Sequence, residues 1–113
     1  MSKKFFALII FALILGVFAG AAFADDDYYI REEAERRNIH LISVEQARHI
    51  ASQRLNSNNV RFKEIELDNE ADDYPNGTNF RPVYQIECYA NGQEYDIDID
   101  AVTGEVLKFK RDD

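Results

Sequence analysis

Hydrophobic and polar positions change period along this chain, and each change predicts an element. Val44, Ala47, Ile50, Ala51 and Leu55 recur at helical spacing, leaving Glu45, Arg48, His49 and Gln53 on the wet side. Ser43 is placed as N-cap, Gln46 completes a capping box, and Asn56-Ser57-Asn58-Asn59 ends the helix. From Val60 the period falls to two. Val60 and Phe62 share one phase, whereas Ile65 and Leu67 share the other, so the strand running to Asp68 must absorb an extra residue. That predicts a bulge near Lys63-Glu64. Asn69 to Asn79 is a polar loop carrying Pro75 and Asn76-Gly77, and its length predicts mobility.

Two alternating runs, Val83 to Ala90 and Gln93 to Asp100, flank Asn91-Gly92, a pair that tolerates the positive φ of a two-residue hairpin turn. Such a turn sets Cys88 opposite Tyr95, Ile86 opposite Ile97 and Tyr84 opposite Ile99 on one face. The other face then holds Tyr89/Glu94, Glu87/Asp96 and Gln85/Asp98. Asp100 can cap the next turn and Gly104 can take its left-handed position, before a last strand from Glu105 to Lys110. With Ala101 to Gly104 as the loop, Val106 opposes Ile99 inward and Leu107 and Phe109 point outward. That stripe has no cover: either the register differs or this face binds something. Upstream, Tyr28 to Asn38 reads as a short charged helix with Glu32/Arg36 and Glu33/Arg37 pairs. Few apolar residues anchor it, so it is expected to fray or to form against a partner. These elements predict an α+β chain, a helix followed by an antiparallel meander sheet of three to four strands.

Residues 1–24 read as a leader. Lys3 and Lys4 precede an apolar run from Phe5 to Phe18, and Ala22-Phe23-Ala24 supplies a small-x-small site. Cleavage between Ala24 and Asp25 would export the protein to the periplasm or the exterior, with the mature form not embedded in a membrane. The alternative is an N-terminal membrane anchor, because Phe5 to Ala24 reaches the ~20 residues that span a bilayer. The remaining chain divides into a charged segment over 25–40, helical in part, and a domain over 41–113. Net charge is −8 for the 113 residues, and removing a leader with two lysines and no acids leaves −10. Nucleic acid and anionic membranes are thereby poor partners, while basic protein surfaces and divalent cations remain open. Cys88 is the only cysteine, so no internal disulfide braces the domain. Its strand phase points inward, toward the role of a small buried hydrophobe rather than a thiol paired with another molecule.

Nothing in the sequence points to catalysis or to a cofactor. His40 and His49 form no His-Glu-x-x-His zinc helix, Cys88 has no neighbouring histidine, and no phosphate loop or nucleophile elbow is present. Asp96, Asp98 and Asp100 fit the first alternating positions of a calcium loop, but Ala101 stands where glycine is required and Leu107 where glutamate is. An EF-hand is excluded. Glu87, Asp96 and Asp98 remain a looser cation candidate, set against a merely solvated face.

Three stretches carry a family resemblance: Ile42-Ser43-Val44-Glu45-Gln46-Ala47, Pro82-Val83-Tyr84-Gln85-Ile86, and the closing run from Glu94 to Val106 through Asp100-Ala101-Val102-Thr103-Gly104. In this order, over roughly Leu41 to Lys110, the chain is similar to the PepSY domain family. That family occurs in propeptides of thermolysin-like secreted metalloproteases and in small stand-alone exported proteins. The resemblance implies a two-layer α+β fold, the helix packed on the antiparallel meander sheet, and a non-catalytic module that binds or restrains a protease, met in trans because no peptidase follows Asp113. The expected docking residues are Glu87, Glu94, Asp96, Asp98, Leu107 and Phe109, on the sheet face or at its edge. The alternative is an envelope sensor that binds a small ligand or a divalent cation on the acidic face.

Overall fold

The computed structural model describes residues 25–112; the expected signal peptide over 1–24, with Ala24 of its cleavage site, lies outside the described residues. Two helices, α1 (Asp25–Arg36) and α2 (Val44–Leu55), precede four strands: β1 (Arg61–Asn69), β2 (Pro82–Ala90), β3 (Gln93–Asp100) and β4 (Val106–Asp112). The strands form one antiparallel sheet in the order β1-β2-β3-β4, and the helices pack against it in an α+β arrangement.

Local chemistry fixes α2. Ser43 Oγ accepts from the Gln46 N–H at 3.0 Å, and Gln46 Oε1 accepts from the Ser43 N–H at 2.7 Å, so two orphan donors are satisfied reciprocally. Asn56 ends the helix in the left-handed region at φ 53°. Ala47, Ala51 and Leu55 are buried against the sheet, where Leu67, Tyr84, Ile86, Cys88, Ile97 and Ile99 complete the core. The β2–β3 register is the one the Asn91-Gly92 turn dictates, with Cys88 opposite Tyr95 and Ile86 opposite Ile97. Both turn residues take positive φ, 55° and 76°. In β1 the register shifts between Phe62 and Glu64, so Lys63 is the extra residue of the expected bulge. Asp100 Oδ1 accepts from the Val102 and Thr103 N–H groups at 2.7 and 2.9 Å, and Gly104 turns at φ 82°.

Three expectations are corrected. First, β4 carries its own bulge: Ile99 pairs with Val106 and Asp98 with Lys108, which leaves Leu107 as the extra residue. Phe109 therefore pairs with Ile97 on the inner face, and the uncovered outward stripe of Leu107 and Phe109 does not form. One inserted residue makes two gains. Phe109 packs on Tyr95 at 5.4 Å between ring centroids, under the Arg54 guanidinium at 5.0 Å. Lys108 and Lys110 move to the outer face, opposite Asp98 and Asp96.

Second, α1 is docked rather than frayed. Its anchors are polar as well as apolar: Ala34 and Asp27 are buried, Asp27 Oδ1 accepts from the Leu67 N–H, and Arg31 Nη2 donates to the Tyr84 hydroxyl at 3.1 Å. The Tyr84 hydroxyl in turn donates to the Ile42 carbonyl at 2.8 Å, tying the helix, the link to α2 and β2 together.

Third, the loop between β1 and β2 is tied down. The Arg81 N–H donates to Asn69 Oδ1 at 2.8 Å, Asn69 Nδ2 donates to the Asn79 carbonyl at 3.0 Å, and the Glu70 N–H donates to the Arg81 carbonyl at 2.8 Å. Asparagine side chains do here what a ladder does in a strand.

Candidate functional site

The outer sheet face is built from alternate residues of all four strands. One row across it reads Glu66, Gln85, Asp98, Lys108, and the next reads Glu64, Glu87, Asp96, Lys110. A shallow groove of about 200 Å³ lies over their centre, lined by Glu64, Glu66, Gln85, Ile86, Glu87, Asp96, Asp98 and Lys108. Five carboxylates thus meet one lysine. The Lys63 bulge aims its ammonium back over the same face, 3.7 Å from Glu87 Oε1 and 3.6 Å from Glu94 Oε2. These carboxylates hold the Lys63 ammonium above its usual pKa, Glu94 most of all.

The groove is electrostatically tense. The Glu64 carboxylate, more than partial burial, pushes the Glu66 carboxyl pKa upward. At the upper end Tyr74 reaches down from the β1–β2 loop and donates to Asp98 Oδ2 at 2.6 Å. Burial first, and then this bond and the Asp98 charge, raise the Tyr74 hydroxyl pKa. Glu70 stands beside it: burial, a hydrogen bond with the Asp73 carboxylate and the charges of Asp68, Asp73 and Asp98 push its pKa up to about 7. Asp100 behaves oppositely. Burial alone would raise its pKa, but the Thr103 and Val102 N–H donors and Arg81, 3.0 Å away, hold it below the usual carboxylate range.

Of the residues singled out from sequence, Glu87, Asp96 and Asp98 line the groove together, and Glu94 lies at its margin on Lys63. Leu107 is half-buried at the β4 bulge, and Phe109 lies on the opposite face, away from that groove. Among the described residues, no group of three or more histidine, cysteine or carboxylate side chains is placed to hold a metal ion. Sequence reasoning missed Glu64 and Glu66. The signal was present, because the bulge at Lys63 throws both into the outer phase. It also missed Lys108 and Lys110, whose placement depends on a bulge that no alternation break announces. Cys88 is buried, with its thiol pKa pushed up to about 11 by burial and by the charges of Asp96 and Glu94.

Among the described residues no helix is long and apolar enough to cross a membrane. A family model described as "PepSY: Peptidase propeptide and YPEB domain" matches residues 41–110, more than half of the chain. No curated protein and no solved structure matches it.

Proposed function

The chain belongs to the PepSY family of peptidase propeptide and YPEB domains, and from that premise we propose that it is an exported, non-catalytic module that binds a secreted protease. Its acidic outer face docks on a basic surface of that enzyme. The observation that carries the reading is the groove itself, which five carboxylates from three strands line with Lys108, while Lys63 and Lys110 stand at its margins. Carboxylates held this close gain from an incoming cationic surface, which relieves their mutual repulsion and steers encounter. Burial of Cys88 favours docking over thiol chemistry.

The test is association with a thermolysin-like secreted protease, followed by surface-captured kinetics over a range of salt. The on-rate should fall as salt rises, and Glu64→Gln with Asp96→Asn should slow it further. A rate indifferent to both would remove the outer face as the docking surface. Export rests on the Ala22-Phe23-Ala24 site. Intact mass of the protein from its native compartment should start at Asp25, whereas full-length mass in a membrane fraction would establish an anchor.

A further inference from the structure

The two edges of the sheet are treated differently. Along β1, helix α1 lies beside the strand and Asp27 Oδ1 takes up the Leu67 N–H at 3.1 Å. Beyond β4 the sheet has no further strand among the described residues, although β4 runs for seven residues from Val106 to Asp112. Such an edge directs alternate backbone N–H and C=O groups outward, where an extended chain can pair with them.

We propose that the β4 edge accepts, by strand addition, an extended segment of a partner protein in which carboxylates alternate with apolar side chains. The inference rests on the protein-binding reading but uses the backbone edge of the sheet rather than its face, with Lys108 bordering both. Side-chain register sets the specificity. Lys108 and Lys110 point to the outer face and Phe109 to the inner one, where the residue remains 38% exposed despite Tyr95 and Arg54. An added strand would bring acidic residues against the two lysines and an apolar residue against Phe109. Asp96 and Asp98 already face the lysines from β3, so a second acid on the far flank completes an alternation of sign across the sheet.

A second copy of this chain is the less suitable occupant. Antiparallel self-pairing about Phe109 sets Lys108 against Lys110, and pairing about either lysine sets that residue against its own copy; pairing about Arg111 brings Lys110 to Asp112 but sets Arg111 against itself and leaves Lys108 without an acid. Lysine on an edge strand guards against self-association. Here the same charges select a carboxylate-bearing strand.

The experiment uses the protein purified from its producing cells and a blocked hexapeptide alternating glutamate with valine, alongside its lysine-for-glutamate counterpart. The glutamate peptide should bind and slow backbone amide exchange within 107–112. Lys108→Glu with Lys110→Glu should weaken that binding by about tenfold or more and transfer preference to the lysine peptide. The milder Lys108→Gln with Lys110→Gln keeps the test readable if charge reversal perturbs folding, and should weaken binding in the same direction. Unchanged exchange at 107–112 with saturating peptide would overturn the proposal. Protection there that rises with protein concentration in the absence of peptide would assign the edge to a second copy and overturn it as well. The protease takes no part in this measurement, so failure here and failure of outer-face docking are separately visible.

Discussion

Asp27 Oδ1 accepts a hydrogen bond from the backbone N–H of Leu67, 40 positions along the chain, at 3.1 Å. The bond joins the first turn of α1 to a strand edge that would otherwise present a bare donor. Both partners are buried, Asp27 at 5% exposure and Leu67 at 1%. A buried amide without an acceptor is costly, and a charged acceptor strengthens the bond. Asp27→Ala should therefore destabilise the protein by about 1–3 kcal/mol. Leu67 amide exchange should accelerate in the same variant, and Asp27→Asn, which keeps an acceptor, should recover part of both effects. Equal melting temperatures for wild type and Asp27→Ala would mean that α1 is held by Arg31, Ile30 and Ala34 alone.

Glu70 makes stability depend on pH in an uncommon direction for a carboxylate. Its pKa is raised from 4.5 to about 7 in the folded protein, by burial first and then by Asp73, Asp68 and Asp98. Between those values the folded state holds more protons than the unfolded chain. Stability from this group is thus complete below pH 4.5 and declines as pH rises through about 7. Glu70→Gln should flatten that decline and stabilise the protein at pH 8 by about 1 kcal/mol, after discounting for partial solvent screening. Denaturant melts at pH 5 and pH 8 check it. Asp100 acts in a separate window, because its lowered pKa gives stability that is present at neutral pH and lost in acid.

Cys88 tests the hairpin. It is fully buried opposite Tyr95, and burial raises its thiol pKa to about 11. A thiol reagent should label it slowly in the native state and rapidly in denaturant. Cys88→Asp should cost several kcal/mol, the order expected for a buried charge without a partner. Rapid native labelling would be incompatible with the inward register.

What the sequence made legible, and what it hid, follows from the range of each signal. The capping box, the Asn91-Gly92 turn and the Lys63 bulge are local: a few adjacent residues specify them and the alternation checks them. The Leu107 bulge is not local. Val106, Leu107 and Phe109 fit either register, and the choice is made by Tyr95, Arg54 and the two aspartates across the strand pair. Helix α1 is hard to read from sequence for a related reason. Its docking depends on Asp27 and Arg31, polar residues that hydrophobic periodicity ignores, bonded to distant partners. The acidic groove was half legible, since Glu87, Asp96 and Asp98 came from the hairpin alone whereas Lys108 came from β4.

Asp96 shows how that missing strand changes an expectation. From the hairpin alone, Asp96 opposes Glu87, and removing its charge should stabilise the sheet by relieving a like-charge pair worth a few tenths to about 1 kcal/mol. With β4 in place Asp96 also opposes Lys110, and Glu87 has Lys63 at 3.7 Å. Asp96→Asn removes an attraction along with the repulsion, so the two changes offset. Stability should stay within the range of an ordinary surface substitution, about 0.5 kcal/mol either way. Lys110→Gln leaves Asp96 facing Glu87 without its counter-charge and should destabilise slightly, and the double variant should fall close to wild type. The cycle of four melts isolates the Asp96–Lys110 coupling. Additive effects would mean that the two side chains do not interact across the strands. Association with a basic partner should respond differently from stability: Asp96→Asn should slow it and reduce its salt dependence, because the groove loses a negative charge whatever the fold gains. A variant with unchanged melting and slower association would separate the role of this carboxylate in binding from its role in the sheet.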